Sequence, residues 1–129
     1  YKPRLVSEII NTYNNTTIEN KPVVIRKTVS ENASKSLKKY LHTTVKSRES
    51  KEELEDSKRI EIGGKTGTAE KLPRDKKNYL ISFIGFTPID EPKLVCYVVI
   101  DEPNVEKQDN SKIAMELGKK IIRELDSIK

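Results

Sequence analysis

The chain is poor in the residues that usually carry chemistry: one cysteine, one histidine and no tryptophan among 129 residues. The single Cys96 excludes an internal disulfide and any multi-cysteine metal site. It sits in the apolar run LVCYVVI, which predicts a small buried core residue. With His42 the only histidine, a Ser-His-Asp or Cys-His site would have to be built around it. It falls inside a predicted helix with no cysteine nearby, so it reads as a surface or boundary residue. No motif calls for a metal or an organic cofactor. No apolar run approaches the roughly 20 residues of a bilayer span, and the first residues do not resemble a signal peptide. Any export or anchoring segment is therefore expected outside the residues given.

Charge is abundant: 25 Lys and Arg against 20 Asp and Glu give a formal +5. The isoelectric point is near 9.2 and the mean hydropathy is −0.68. A basic balance raises nucleic acid as a partner. Against it, the lysines are interleaved with acids, and clusters such as Lys35/Lys38/Lys39 and Lys76/Lys77 are short. The five tyrosines and two phenylalanines form no stacking pattern. A nucleic-acid partner is not expected.

RLVSEIINTY at 4–13 alternates partially and runs into Asn14-Asn15, a turn signal. After a polar stretch, VVIRKTV at 23–29 reads as a second strand, which predicts a hairpin or meander. Asn-x-Ser/Thr triplets at Asn14, Asn15 and Asn32 are sufficiently explained as turn and capping residues. Ser30 reads as an N-cap, and Ala33, Leu37, Leu41 and Val45 recur at helical spacing, predicting a helix over about 31–46. SRESKEELEDSKR at 47–59 reads as a frayed helix end or solvated connector, with no site in it. Strand alternation resumes in RIEIGG from 59. YLISFIGFTPI and KLVCYVVID, separated by DEP, predict an antiparallel hairpin. Ala114, Leu117, Ile121, Leu125 and Ile128 mark a terminal amphipathic helix over about 110–128. The expected fold is α+β: an antiparallel sheet with flanking helices, in a strand-helix region over 1–58 and a strand-hairpin-helix region over 59–129.

Only five glycines are present, yet three fall within GGKTGTAEK at 63–71. Lys65-Thr66-Gly67, followed by Thr68, matches the KTG element of active-serine penicillin-recognising enzymes. GGKTGTAEK, SFIGFTP and KLVCYVVIDEP together resemble the C-terminal part of the transpeptidase domain of class B penicillin-binding proteins. Division-type and sporulation-type members look most similar. The likeness runs from about residue 3 to the end, is specific at 63–70 and 82–103, and is general in the first half. It implies a partial β-lactamase/transpeptidase-like fold and a substrate ending in D-alanyl-D-alanine. Lys65 then supplies a positive field for the substrate carboxylate and takes part in proton transfer. The hydroxyls of Thr66 and Thr68 bond that carboxylate. Gly67 lets the substrate backbone approach the strand, and the Thr68 N–H is one oxyanion donor. On this reading Lys65 and Thr68 are catalytic, and Lys65, Thr66, Gly67 and Thr68 bind substrate. An ordinary glycine-rich bulge is the alternative account of the same residues.

The family's nucleophile belongs to an SxxK motif, with SxN between it and KTG. Ser36-Leu37-Lys38-Lys39 and Ser30-Glu31-Asn32 match these formally, but in reversed order and inside or at the cap of a predicted helix. Both are read as coincidences. The residues given therefore look like the substrate-binding portion of a transpeptidase domain without its acylated serine, inactive alone. The rest of the domain is the expected partner, with peptidoglycan stem peptides and β-lactams as ligands. An uncovered strand edge and apolar surface imply self-association of the isolated chain. The extracytoplasmic membrane face is the expected location. The competing readings are a piece of a serine β-lactamase or β-lactam sensor, and a non-enzymatic basic binding module.

Overall fold

Asn14 and Asn15 turn the chain early. The Asn14 Oδ1 accepts from the Thr16 backbone N–H and hydroxyl, and Asn15 takes a left-handed φ of 52°, a region asparagine tolerates well. In the computed structural model, which describes residues 1–49 and 60–127, this turn joins β1 (Glu8–Asn11) to β2 (Thr16–Glu19). They pair antiparallel, with Ile9 opposite Ile18. The expected second strand at 23–29 is not one. TTIE, taken as part of a polar stretch, fills the place opposite β1 because so tight a turn brings the nearest residues back first. Val23, Val24 and Ile25 are left exposed. This hairpin lies in the first of two compact units, Tyr1–Ala33; the second is Ser34–Lys129.

Helix α1 (Glu31–Lys46) begins where Ser30 predicts, with the Ser30 hydroxyl accepting from the Ala33 N–H at 3.2 Å. Its expected apolar stripe is buried only near its end: Val45 is buried, whereas Leu37 is 56% exposed. The 47–59 connector falls outside the described residues from 50 onward, as does the proposed strand start at Arg59. Residues 60–62 are not in a strand, so β3 is Gly63–Glu70. A short 3-10 turn (Arg74–Lys76) leads to β4 (Tyr79–Thr87), then β5 (Leu94–Asp101) and α2 (Lys112–Ser127). The sheet order is β3-β4-β5, antiparallel throughout. The α+β architecture read from the sequence is the one observed.

Alternation along β4 sends Ile81, Phe83, Gly85 and Thr87 to one buried face. There they meet Ala114, Met115 and Ile122 of α2, with Val45, Ile62 and Val98 completing the core. Phe83 determines the local sequence. A Cβ on Gly64 of β3 would come within 2.5 Å of its ring, and one on Gly118 of α2 within 2.6 Å. The buried face of α2 is accordingly displaced from the predicted one: Ala114, Met115, Gly118, Lys119 and Ile122 are buried. Leu117 and Leu125 are 43% and 44% exposed, and Ile128 lies outside the described residues. Cys96, expected in the core, is only half-buried, at the core's margin on edge strand β5.

Candidate functional site

No glycine in the described residues has a positive φ, so the glycines of GGKTGTAEK serve close approach rather than turning. Eight consecutive residue pairs link β3 to β4 without an extra residue on either side. A bulge is therefore excluded. Gly63 and Gly64 leave room for Phe86 and Phe83, and a Cβ at Gly67 would fall 2.6 Å from the Ser82 hydroxyl. Part of the glycine content is thus demanded by the neighbouring strand.

The motif lies on an edge strand: among the described residues β3 pairs only with β4. Lys65 and Gly67 share the face of their partners Ile84 and Ser82, while Thr66 and Thr68 share the face of Phe83 and Ile81. The lysine and the two threonines are thus not brought together on one face, and only a ligand lying along the strand edge can address both sets. Lys65 is exposed and its Nζ donates to the Thr66 carbonyl at 2.9 Å. The Thr66 hydroxyl, half-buried, accepts from the Arg48 guanidinium at 3.2 Å. Thr68 is exposed and its hydroxyl makes a long 3.5 Å contact to the Asp109 carbonyl.

The segment entering β3 is fastened at two points. His42 Nδ1 lies 3.1 Å from the Ile62 carbonyl oxygen and its Nε2 lies 3.7 Å from the Glu61 carboxylate. The buried Thr87 hydroxyl donates to the Glu61 carbonyl at 2.9 Å. His42 is therefore a structural tie at a boundary. At the other end Lys71 contacts Asp101 at 2.9 Å and Glu102 at 2.6 Å. The hydrogen bond to Glu102, then that to Asp101, hold its pKa above the ordinary 10.5. Glu70, one residue past Ala69, faces Tyr79 across the strands at 3.5 Å. Burial first, then the Glu70 charge, raise the Tyr79 phenol above 10.0.

The start of the charged connector is not simply solvated. The Glu49 side chain is only 3% exposed and lies 3.5 Å from both Arg123 and the almost fully buried Lys119 of α2. Its Oε2 and the Arg123 Nε are buried without a hydrogen-bond partner. Arg48, beside it, reaches Thr66. A signal did exist for one member. Lys119 lies on the α2 face of Met115 and Ile122, where an unpaired lysine is costly. Nothing in a run of alternating charges identifies Glu49 as its partner.

The serines of the formal SxxK and SxN matches do not line the pocket beside Lys65. Ser36 and Lys39 are exposed in the middle of α1, and the Ser30 hydroxyl is engaged as a cap. Beside Lys65 the outer sheet face opens into an apolar groove of about 370 Å³, lined by Lys38, Leu41, Gly64, Lys65, Ile84, Phe86, Pro92 and Val95.

Residues 1–123 match the family model described as penicillin binding protein transpeptidase domain. Stage V sporulation protein D of Bacillus subtilis (strain 168) is 32% identical over 128 residues, covering 96% of this chain and 20% of that protein. The peptidoglycan D,D-transpeptidase FtsI homolog of Chlorokybus atmophyticus is 39% identical over 72 residues, 53% of this chain and 11% of the relative. The probable peptidoglycan D,D-transpeptidase PenA of Neisseria meningitidis (serogroup B, strain MC58) is 34% identical over 66 residues, 49% of this chain and 11% of that protein. The chain thus spans a fifth or less of the length of these relatives.

Proposed function

The chain belongs to the penicillin-binding-protein transpeptidase family, and from that premise we propose that it supplies the substrate-binding strand of a peptidoglycan D,D-transpeptidase. The observation that carries the reading is the placement of Lys65-Thr66-Gly67-Thr68 on a regular strand whose other edge is unpaired among the described residues. An extended peptide adds to such an edge as another strand, through main-chain hydrogen bonds. The donor peptide ends in D-alanyl-D-alanine and carries a carboxylate next to its scissile amide. Lys65 provides a positive field for that carboxylate and assists proton transfer during acylation. The hydroxyls of Thr66 and Thr68 hold the carboxylate, and Gly67 presents no Cβ to the incoming backbone. The Thr68 N–H stabilises the oxyanion; losing such a donor costs about 3 kcal/mol of transition-state stabilisation.

The reaction needs a serine that is acylated, releases D-alanine and passes the acyl group to an acceptor amine. Neither formal serine motif in this chain is that residue. We assign the nucleophile to another part of the same transpeptidase domain, of which these residues form the C-terminal portion. That part also covers the outer sheet face and the groove beside Lys65. The 129 residues alone are then inactive. Among the described residues no helix is long and apolar enough to cross a membrane. Work on peptidoglycan at the extracytoplasmic face implies an anchor elsewhere in the protein.

Intact-mass spectrometry after incubation with excess penicillin tests this. The complete protein is expected to gain a penicilloyl adduct on a serine outside residues 1–129, and Lys65→Ala to abolish it. The isolated chain is expected to remain unlabelled. An adduct on Ser36 would overturn the divided-site reading, and a complete protein that never labels would overturn the transpeptidase itself.

A further inference from the structure

Two neighbouring residues after α1 have opposite environments. Glu49 is enclosed between Lys119 and Arg123, whereas Arg48 is exposed and donates to the Thr66 hydroxyl at 3.2 Å. Their backbone continues the helix as turns, with the Arg48 N–H on the Val45 carbonyl and the Glu49 N–H on the Lys46 carbonyl. The buried carboxylate therefore fixes where the arginine starts. A guanidinium only donates, while a hydroxyl has one hydrogen and two lone pairs. With Arg48 on a lone pair, the Thr66 hydrogen is left to donate elsewhere. A carboxylate, which only accepts, is the complementary ligand. Lys65 does not set this polarity, because its ammonium bonds the Thr66 carbonyl instead.

We infer that Arg48 is a positioning residue for carboxylate recognition: it holds the Thr66 hydroxyl as a donor. The inference rests on the transpeptidase reading above and deepens it by naming what orients the motif's middle residue. Arg48 acts through Thr66 on the carboxylate shared by D-alanyl-D-alanine peptides and β-lactams.

The test is the second-order acylation rate of the complete protein with a penicillin and with the methyl ester of its carboxylate. Arg48→Ala is expected to slow the free acid about tenfold, the scale of one charge-assisted hydrogen bond, and to leave the ester rate nearly unchanged. Arg48→Lys, which keeps a charged donor, is expected to recover part of the loss. Thr66→Val is expected to make the acid reaction insensitive to Arg48→Ala, since the two residues act as one unit. Equal slowing of acid and ester, or additive losses in the double variant, would make Arg48 merely structural and overturn the inference. So would unchanged rates. If the unsubstituted protein is not acylated at all, the transpeptidase reading fails and takes this one with it; acylation that ignores Arg48 sinks only this one.

Discussion

Phe83 and the glycines around it show why a short motif has so little freedom to vary. At Gly64 a Cβ would meet the Phe83 ring at 2.5 Å and the Ile84 carbonyl oxygen at 2.7 Å. The second obstacle is backbone and cannot rotate away. Gly64→Ala is therefore expected to lose about 1–3 kcal/mol of stability, the usual range for overpacking, read from the urea midpoint. At Gly67 the obstacle is a serine hydroxyl at 2.6 Å, the end of a side chain that turns easily. Gly67→Ala should cost less, and Ser82→Ala should remove that cost. The companion effect separates fold from function. If a substrate backbone lies against Gly67, Ser82→Ala restores the unfolding midpoint of Gly67→Ala but not its acylation rate. Restoration of both would mean that the glycine serves Ser82 alone. The motif was legible because its four residues are contiguous. The ring that demands Gly64 comes from β4, across a pairing that no local pattern announces.

At the scale of elements, the sequence was most informative where a helix or strand has a local start signal. Ser30 caps α1 at the expected residue, and the hairpin of β4 and β5 lies where alternation and DEP place it. It was least informative about which face each helix buries. Gly118 contributes no hydrophobicity to a periodic pattern and Lys119 argues against burial, yet both lie under the sheet. Lys119 is tolerated there because Glu49 meets it from the end of α1. Taking one partner from such a cluster leaves charge buried and uncompensated, which costs about 3–5 kcal/mol. Glu49→Ala is expected to fall in that range, since it removes the carboxylate that lies 3.5 Å from both Lys119 and Arg123 of α2. A loss below about 1 kcal/mol, the level of exposed ion pairs, would show that the cluster contributes nothing beyond surface charge.

For the sheet as a whole, the two faces are unequal. One is closed by α2 over Ile81, Phe83 and Val98. The other presents Ile84 and Val99 at 45% exposure, and Val95 and Tyr97 at 63%. These four side chains lie on neighbouring strands and share a face, Ile84 directly opposite Tyr97. They continue the apolar groove beside Lys65. Contiguous apolar surface of this kind is uncommon on a monomer and promotes association, and the outer edges of β3 and β5, unpaired among the described residues, add open backbone groups to it. In the complete domain, on the reading above, the segment bearing the nucleophile covers this face. On that reading isolated residues 1–129 lack the covering segment and are expected to associate reversibly in sedimentation velocity at micromolar concentration. Ile84→Lys with Tyr97→Glu should return them to monomers with the secondary structure retained. In the complete protein the same pair should do the opposite of helping, since charge would then be buried against the covering segment: a lower unfolding midpoint is expected. Variants that leave the complete protein's midpoint unchanged would show that nothing packs on this face, and the divided site would have to be assembled across another surface.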